Sequence, residues 1–176
     1  MTDNITIREA NANDIARIEY LVETTYRGED SKKGWTTEFN LLAGTRLQKG
    51  EIAAALADKA NQFFVAERDN IVVGVICVNK NGDWIEFGKF SVDPEMQGLG
   101  IGKMLIAKVE DFVRNIWGAD KLKLSVISIR KELVDFYARY GFKDTGQRID
   151  FIKIHPYVEL KDGVSDFEVI IMEKSV

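Results

Sequence analysis

The sequence predicts an α+β fold in which a mixed central sheet of about six to seven strands is flanked by about four helices. Two observations carry this prediction. Between residues 63 and 92, three strand-like segments follow one another and are joined by the short turns Asp69-Asn70 and Gly82-Asp83, which favour antiparallel pairing. On both sides of them, segments with helical periodicity alternate with further strand-like segments. The length of 176 residues, with 45% hydrophobic and 30% charged residues, fits a single domain over residues 1–176.

The first half of the chain predicts helices and strands in a fixed order. Residues 4–8 alternate like a short strand, and Asn13 is a candidate cap of the helix that follows. The buried face of this helix would carry Ile15, Ile18, Leu21, Val22 and Thr25. Residues 26–47 mix charges and glycines and predict a loop, and residues 50–59 predict a second helix. Three strands then cover residues 63–67, 71–78 and 84–92.

The second half continues the alternation. An amphipathic pattern predicts a helix over residues 101–117, and a strand follows at 122–127. The next helix has one apolar stripe and ends at Gly141, which is suited to a C-cap. Its stripe consists of Leu133, Phe136, Tyr137 and Tyr140. Residues 142–147 and 167–172 predict the last strands, on either side of a loop with Pro156.

A glycine-rich loop joins the strand at 84–92 to the helix at 101–117. The loop has the sequence Val92-Asp93-Pro94-Glu95-Met96-Gln97-Gly98-Leu99-Gly100-Ile101-Gly102-Lys103. Glycine lets backbone N–H groups approach a ligand closely, and the unpaired N–H groups and dipole of a helix N-terminus favour an anion. The loop therefore predicts a phosphate-binding site.

Two common phosphate-binding motifs do not match this loop. A Walker loop that ended at Gly102-Lys103 would need a glycine where Gln97 stands and a hydroxyl where Met104 stands. A dinucleotide-binding fingerprint would need its third glycine at Lys103 or at Leu105.

The pattern that remains, Gln97-x-x-Gly100-x-Gly102 after Val92-Asp93-Pro94, resembles the coenzyme A loop of the GNAT family of N-acetyltransferases. The segment from Phe136 to Phe142 is similar to the family's later signature, a hydrophobic residue followed by Tyr-x-x-x-Gly-Phe. Ile7-Arg8-x-Ala10 is similar to its first strand, so the resemblance covers nearly the whole chain. It implies a sheet that is splayed between the strand before and the strand after the coenzyme-binding helix.

The resemblance also implies the reaction and the cofactor. Acetyl-CoA would donate an acetyl group to a primary amine of a small molecule, amino acid or peptide, by direct attack in a ternary complex, and coenzyme A would leave as product. At the position where many members have asparagine, seven residues before the tyrosine, this chain has Arg130, and Ser128 is the expected substitute. The expected cofactor-binding residues are Phe90, Ser91, Val92, Gln97, Gly98, Leu99, Gly100, Ile101, Gly102, Lys103, Ser128 and Arg130.

Glu86 and Tyr137 are the candidate catalytic residues. Strand periodicity predicts that Glu86 shares a face with Gly88, Phe90 and Val92, and the resemblance implies that it deprotonates the amine directly or through water. The alternative is a solvent-facing carboxylate. The tyrosine of the later signature implies that Tyr137 protonates the departing thiolate, whereas its position on an apolar stripe equally predicts a core residue.

The acceptor is the least specified part of the site. The resemblance implies that residues 26–47 and about 148–163 form its walls. The candidate substrate-binding residues are Tyr26, Arg27, Trp35 and Glu38. The mixed charges of this region select no acceptor class.

Composition excludes several other functions. The net charge of −4 and the absence of a basic run argue against nucleic acid as a partner. No apolar run is long enough for a membrane span and no signal segment is evident, so we predict a cytoplasmic protein that does not engage membranes. One histidine and one cysteine predict no metal site, with Cys77 a buried apolar side chain. A homodimer is compatible with this interpretation.

Two alternative functions fit the same motifs. The chain could be a non-catalytic acyl-CoA-binding or regulatory module that retains the loop without turnover. It could also transfer a different acyl group, or use an oxygen acceptor. Thiol release distinguishes an enzyme from a binding module.

Overall fold

The computed structural model describes residues 4–27, 29–34 and 37–176. The strands are β1 (Ile5–Glu9), β2 (Leu42–Ala43), β3 (Asn61–Arg68), β4 (Ile71–Asn81), β5 (Trp84–Val92), β6 (Lys121–Ile127), β7 (Lys143–Asp150), β8 (Glu159–Leu160) and β9 (Glu168–Ser175). The helices are α1 (Ile15–Tyr26), α2 (Glu51–Ala57), α3 (Ile101–Asn115), α4 (Lys131–Arg139) and α5 (Phe151–Ile154). Short 3₁₀ turns lie at Ala12–Asp14, Glu29–Lys33 and Pro94–Met96.

Seven strands form one mixed sheet in the order β1-β3-β4-β5-β6-β9-β7. Neighbours pair antiparallel except β5 and β6, which are parallel and meet at the single register pair Glu86 and Lys123. Beyond that pair the two strands diverge towards the start of α3. The predicted α+β fold is confirmed, with the sheet splayed between β5 and β6, the strands before and after the helix at 101–115.

Buried apolar residues pack on both faces of the sheet. The face towards α3 and α4 uses Phe64, Val73, Phe87, Leu105 and Val109, and the opposite face uses Leu21, Phe63, Val65, Val75 and Cys77. Neighbours in β3 alternate between the two clusters, as the period of two in a strand requires. A third cluster, under β2 and β8, contains Leu42, Ile127, Phe151, Phe167 and Val169.

The start of α1 differs from the prediction. Asn11, not Asn13, is the capping residue: its side chain accepts a hydrogen bond from the Asn13 N–H at 2.9 Å. The Asp14 carboxylate accepts from the Asn11 N–H at 2.8 Å and completes a capping box around the 3₁₀ turn. Asn13 was the wrong candidate because it lies inside that turn, whereas a cap requires the extended backbone that Asn11 has.

A β-bulge in β5 overturns the prediction that Glu86 shares a face with Phe90 and Val92. From Cys77 to Val75, β4 advances two residues, whereas β5 advances three from Gly88 to Ser91. The extra residue, Lys89, has a φ of 48°, in the left-handed region. The bulge shifts the alternation by one position, so that Phe87 and Phe90 both enter the core on the α3 side.

Two short strands and one short helix were not predicted from the sequence. β2 and β8 pair antiparallel, with Leu42 opposite Leu160, and connect the two segments expected to wall the acceptor. Strands of two residues carry too little periodicity to be recognised in a loop.

None of the helices in the described part of the chain is long and apolar enough to cross a membrane. Within the same residues, no group of three or more His, Cys, Asp or Glu side chains could hold a metal ion.

The buried thiol predicts a loss of stability at alkaline pH. Burial raises the pKa of Cys77 from 9 to about 12, so the folded chain keeps a proton that the unfolded chain releases. The contribution of the buried Cys77 thiol to the free energy of unfolding is therefore complete below pH 9 and is lost as the pH rises towards 12. At pH 11 we expect Cys77 alone to remove about 2–3 kcal/mol of unfolding free energy.

Thermal unfolding of Cys77→Val at pH 8 and pH 11 tests this expectation. The variant should match the parent at pH 8 and lose less stability at pH 11. Burial also raises the pKa of Tyr26, to about 12, so part of the alkaline loss remains in the variant. An equal loss in both proteins would contradict the assignment to Cys77.

Candidate active site

The loop before α3 forms a cradle of backbone N–H groups, which we call the phosphate cradle (residues 97–103). Gly98 and Gly100 adopt φ values of +86° and +79°, and Gly100 is the N-cap of α3. Within residues 4–27, 29–34 and 37–176, no side chain caps this helix end. The first N–H groups of a helix have no partner within it, so the start of α3 can present these donors to a ligand.

A cleft of about 360 Å³ opens beside the phosphate cradle. Its lining includes Gly98, Gly100, Gly102 and Lys103 from the cradle, Phe90 and Val92 from β5, and Phe136 and Tyr140 from α4. Gly102 has a packing role as well, because a Cβ there would lie 3.0 Å from the ring of Phe90. We call this space the cradle cleft.

The edge of β5 that diverges from β6 leads away from the cradle. The carbonyl of Phe90 accepts a hydrogen bond from the Tyr26 hydroxyl, and that of Val92 accepts one from Gln97 Nε2 at 3.2 Å. The Asp93 N–H bonds to Val73 on the β4 side. Since successive residues of a strand alternate in direction, the N–H groups of Phe90 and Val92 point to the diverging edge.

Glu86 is held in place at the point where β5 and β6 meet. Its carboxylate accepts hydrogen bonds from Trp84 Nε1 at 2.6 Å and from Ser125 Oγ at 3.0 Å. The residue is half-buried and lines a second cavity of about 390 Å³, which we call the side cavity. Neither hydrogen bond exhausts the acceptor capacity of the carboxylate oxygens.

Tyr137 lies where the two spaces approach each other. Its ring is 6.5 Å from that of Phe90, which lines the cradle cleft, and 5.9 Å from that of Phe87, which lines the side cavity. The side chain is 8% exposed. Burial above all, and then the nearby Tyr26 hydroxyl, raise the pKa of Tyr137 well above 10, while Arg130 lowers it.

Of the four predicted substrate-binding residues, Arg27 and Glu38 line the side cavity, and these two pair with each other. Arg27 is buried and lies 3.1 Å from the Glu38 carboxylate, and its guanidinium also donates to the Ala43 carbonyl at 3.2 Å. This pair braces the loop that leads to β2. Tyr26 is directed to β5, as described above, and Trp35 lies outside the described residues.

Four of the twelve predicted cofactor-binding residues do not line the cradle cleft, namely Ser91, Leu99, Ser128 and Arg130. Ser91 is buried in β5, and Leu99 packs against the core on the α3 side. Arg130 is 7% exposed, donates to the Thr37 carbonyl at 2.6 Å and pairs with Glu132. The Ser128 N–H bonds to the Glu168 carbonyl at 2.8 Å. Arg130 therefore anchors the loop before β2 to the start of α4. The sequence showed only that an arginine replaces the asparagine of many family members, and not this anchoring role.

Sequence analysis missed two residues that line the side cavity, Arg46 and His155. His155 packs on the ring of Phe151, with centroids 4.7 Å apart. Burial first, and then the charge of Arg46, lower the pKa of His155 below 6.5, so its imidazole is neutral at pH 7. A single basic residue in a charged loop carries no local signal that distinguishes it from a surface residue.

Comparison with known proteins identifies relatives across most of the chain. The sequence model of the acetyltransferase (GNAT) domain family matches residues 32–157. N-acetyltransferase 8B of Homo sapiens is 30% identical over 124 residues, which are 66% of this chain and 53% of the relative. An uncharacterised N-acetyltransferase of Methanocaldococcus jannaschii is 28% identical over 152 residues, 79% of this chain and 61% of the relative. The chain thus spans about half to three-fifths of the length of these relatives.

Solved structures share the fold over nearly the whole chain. A GNAT family acetyltransferase from Elizabethkingia anophelis with acetyl-CoA bound superposes with a TM-score of 0.70 at 20% identity, covering 99% of both chains. Spermidine N-acetyltransferase from Vibrio cholerae in complex with CoA and spermine gives a TM-score of 0.69 at 19% identity, covering 98% of this chain and 96% of that one. At these identities the likeness establishes the fold.

Proposed function

The chain belongs to the GNAT family of acetyltransferases, and on that premise we propose that residues 1–176 form one domain that transfers the acetyl group of acetyl-CoA to a primary amine. The acceptor would be a small molecule, amino acid or peptide that attacks directly in a ternary complex. The observation that carries the proposal is the arrangement along β5, which carries Glu86 near its start in the side cavity and Phe90 and Val92 at its end beside the phosphate cradle. Tyr137 packs against Phe87 and Phe90 of the same strand. A cytoplasmic location and a homodimer stay predictions from the sequence.

The residues of the cradle fit coenzyme A. Among the residues that the structure describes, a Cβ at either of the glycines Gly98 and Gly100 would meet nothing within 4 Å, which leaves space beside both. The unpaired N–H groups at the start of α3 would hold the pyrophosphate, and exposed Lys103 adds a positive charge. The N–H groups of Phe90 and Val92 would position the pantetheine arm, in the manner of an added strand. Bound acetyl-CoA supplies the thioester from which the acetyl group is transferred.

Glu86 is suited to accept the proton of the amine. An alkylamine with a pKa of about 10.4 is almost wholly protonated at pH 7 and must lose a proton before it attacks a carbonyl. The hydrogen bonds from Trp84 and Ser125 orient the carboxylate towards the side cavity and leave lone pairs for the amine or for a bridging water.

Tyr137 is suited to donate a proton or a hydrogen bond to the departing thiolate. Because its pKa lies well above 10, the phenol is in its donor form throughout the neutral range. Its place between the cradle cleft and the side cavity is where the thioester end of a cradle-bound arm would arrive.

A covalent enzyme intermediate on the cysteine is disfavoured. Cys77 is 7% exposed, and burial raises its pKa to about 12, so almost no thiolate forms at pH 7. Direct transfer between the two bound substrates is therefore the favoured route.

Thiol release tests the proposed function and the role of Glu86 together. We expect the purified protein to release coenzyme A thiol from acetyl-CoA when a panel of amines, amino acids and peptides is added. Glu86→Gln should lower kcat by roughly 100-fold and leave the Kd of coenzyme A unchanged, since the variant keeps the shape of the side chain but cannot take a proton. Glu9→Gln is the matched control, because Glu9 is an exposed carboxylate on the edge strand β1.

Binding without turnover would favour the alternative function. The protein could show calorimetric heat with coenzyme A but release no thiol with any acceptor or with a longer acyl donor. That result would indicate a binding module and refute the proposal that the protein is an enzyme. Glu86→Gln with full activity would remove Glu86 from the mechanism.

A further inference from the structure

The side cavity combines a charged part with an apolar wall. Its volume of about 390 Å³ is near the lower end of the range for small-molecule sites, roughly 300–1,000 Å³. The charged part comes from Arg27, Glu38, Arg46 and Glu86, while the apolar wall includes Phe151 and Val169. A cavity of this size suits a small acceptor with both polar and apolar groups.

Most of the charge in the side cavity is already compensated. Arg27 and Glu38 form an ion pair at 3.1 Å, with both side chains largely buried. His155 is neutral at pH 7, as described above. Arg46 and Glu86 are then the charged side chains of the lining without an ionic partner, among the residues that the structure describes. They have opposite signs.

Arg46 is held in place by contacts of its backbone and its guanidinium, but it has no ionic partner among the residues that the structure describes. Its backbone N–H donates to the Glu23 carboxylate at 3.0 Å, and its guanidinium lies over the ring of Tyr26, 5.6 Å from the centroid. Within the described part of the chain, the guanidinium forms no side-chain hydrogen bond or ion pair. A half-buried guanidinium has a planar set of N–H donors that matches a carboxylate, and pairing would offset the cost of its partial burial.

We propose that the acceptor is a free α-amino acid with an apolar side chain, whose carboxylate pairs with Arg46 while its amine faces Glu86. This inference rests on the proposed function and specifies its acceptor. The apolar wall would receive the side chain of the amino acid. A polyamine is a poor match, because the cation remote from the reacting amine would meet Arg46.

The test compares L-leucine with isoamylamine, which is the same molecule without its carboxylate. We expect the wild type to prefer leucine in kcat/KM, and Arg46→Gln to reduce the ratio of leucine to isoamylamine by about 10- to 50-fold. The change in this ratio between the two proteins is independent of the different basicities of the two amines. Turnover of isoamylamine supplies the denominator of the ratio in each protein, and a melting temperature of Arg46→Gln close to that of the wild type shows that the variant is folded.

A control and a binding measurement separate this inference from the proposed function. Arg114→Gln, an exposed arginine in the last turn of α3, should keep the wild-type ratio. Calorimetry with leucine, on protein saturated with coenzyme A, should show binding to wild type that Arg46→Gln loses.

Each outcome decides one of the two claims. Suppose that amines are acetylated but Arg46→Gln keeps the wild-type ratio of leucine to isoamylamine, or that the wild type prefers spermidine to leucine. Either result overturns the inference of an amino-acid acceptor and leaves the proposed acetyltransferase activity standing. Leucine binding that depends on Arg46, without thiol release from any amine, supports the recognition site and overturns the enzyme. If the wild-type protein neither binds leucine nor acetylates it, the inference is overturned.

Discussion

Replacing Tyr137 with phenylalanine is expected to lower kcat by roughly 1,000-fold, within the range for loss of a general acid. The Kd of coenzyme A should change less than about twofold, since Tyr137 does not line the cradle cleft and phenylalanine keeps its ring. The measurement is steady-state thiol release together with calorimetry. Of the single substitutions considered for this chain, this one should have the largest effect on turnover.

The surroundings of Tyr137 make this variant informative. The ring packs against Phe87, Phe90, Phe136 and Phe142, with centroids 5.2–6.5 Å apart, and a phenylalanine preserves these contacts. The same burial that keeps the phenol protonated also excludes water, so a departing thiolate would depend on this hydroxyl.

Tyr140→Phe is the matched control for this experiment. Tyr140 lies one turn further along the chain, lines the cradle cleft and is less buried than Tyr137. Its loss of a hydroxyl should leave kcat within about threefold of wild type. Retention of more than a tenth of wild-type kcat in Tyr137→Phe would show that Tyr137 is a core residue.

Substitution of Gly100 by valine is expected to weaken coenzyme A binding by at least about 100-fold. Gly100 has a φ of +79° at the N-cap of α3, where a β-branched side chain is strained by roughly 1–2 kcal/mol. The backbone can relieve this strain by rotating, which would turn the cradle N–H groups away from a common anion. Isothermal calorimetry with coenzyme A measures the loss.

Gly118→Val separates loss of the cradle from loss of stability. Gly118 has a φ of +62°, and a Cβ there would also meet no described atom within 4 Å, but it follows α3 at the end opposite the cradle. Both variants should lose a similar amount of thermal stability, and only Gly100→Val should lose coenzyme binding. Equal coenzyme affinity in the two variants would show that residues 97–103 do not bind the diphosphate.

Features that depend on local chemistry could be predicted from the sequence. The glycine loop, the amphipathic pattern of α3 and the left-handed Gly141 after α4 each act within a few residues. The antiparallel order of β3, β4 and β5 follows from short turns. For these elements the prediction and the structure differ mainly at the ends, where helices fray and strands lengthen by pairing.

The site itself depends on contacts between distant segments. Whether a charged residue in a loop is free or paired is decided by partners far along the chain: Arg27 is paired with Glu38, Arg130 is held by the Thr37 carbonyl, and Arg46 is left available. None of these outcomes can be inferred from residue type, because the same side chain could be solvated, paired or available to a ligand.

The amino-acid sequence alone determined the resemblance to the family, through the motifs at residues 97–102 and 136–142. It also determined the order of helices and strands, which follows from periodicity, and the glycine-rich turn before α3, which follows from the backbone freedom of glycine. The tertiary structure decided the bulge at Lys89, the pairing of β2 with β8 and the charges that face the side cavity. The physical reason is that burial and ion pairing depend on which segments meet in space. Segments that are distant in sequence are brought together only by the fold as a whole.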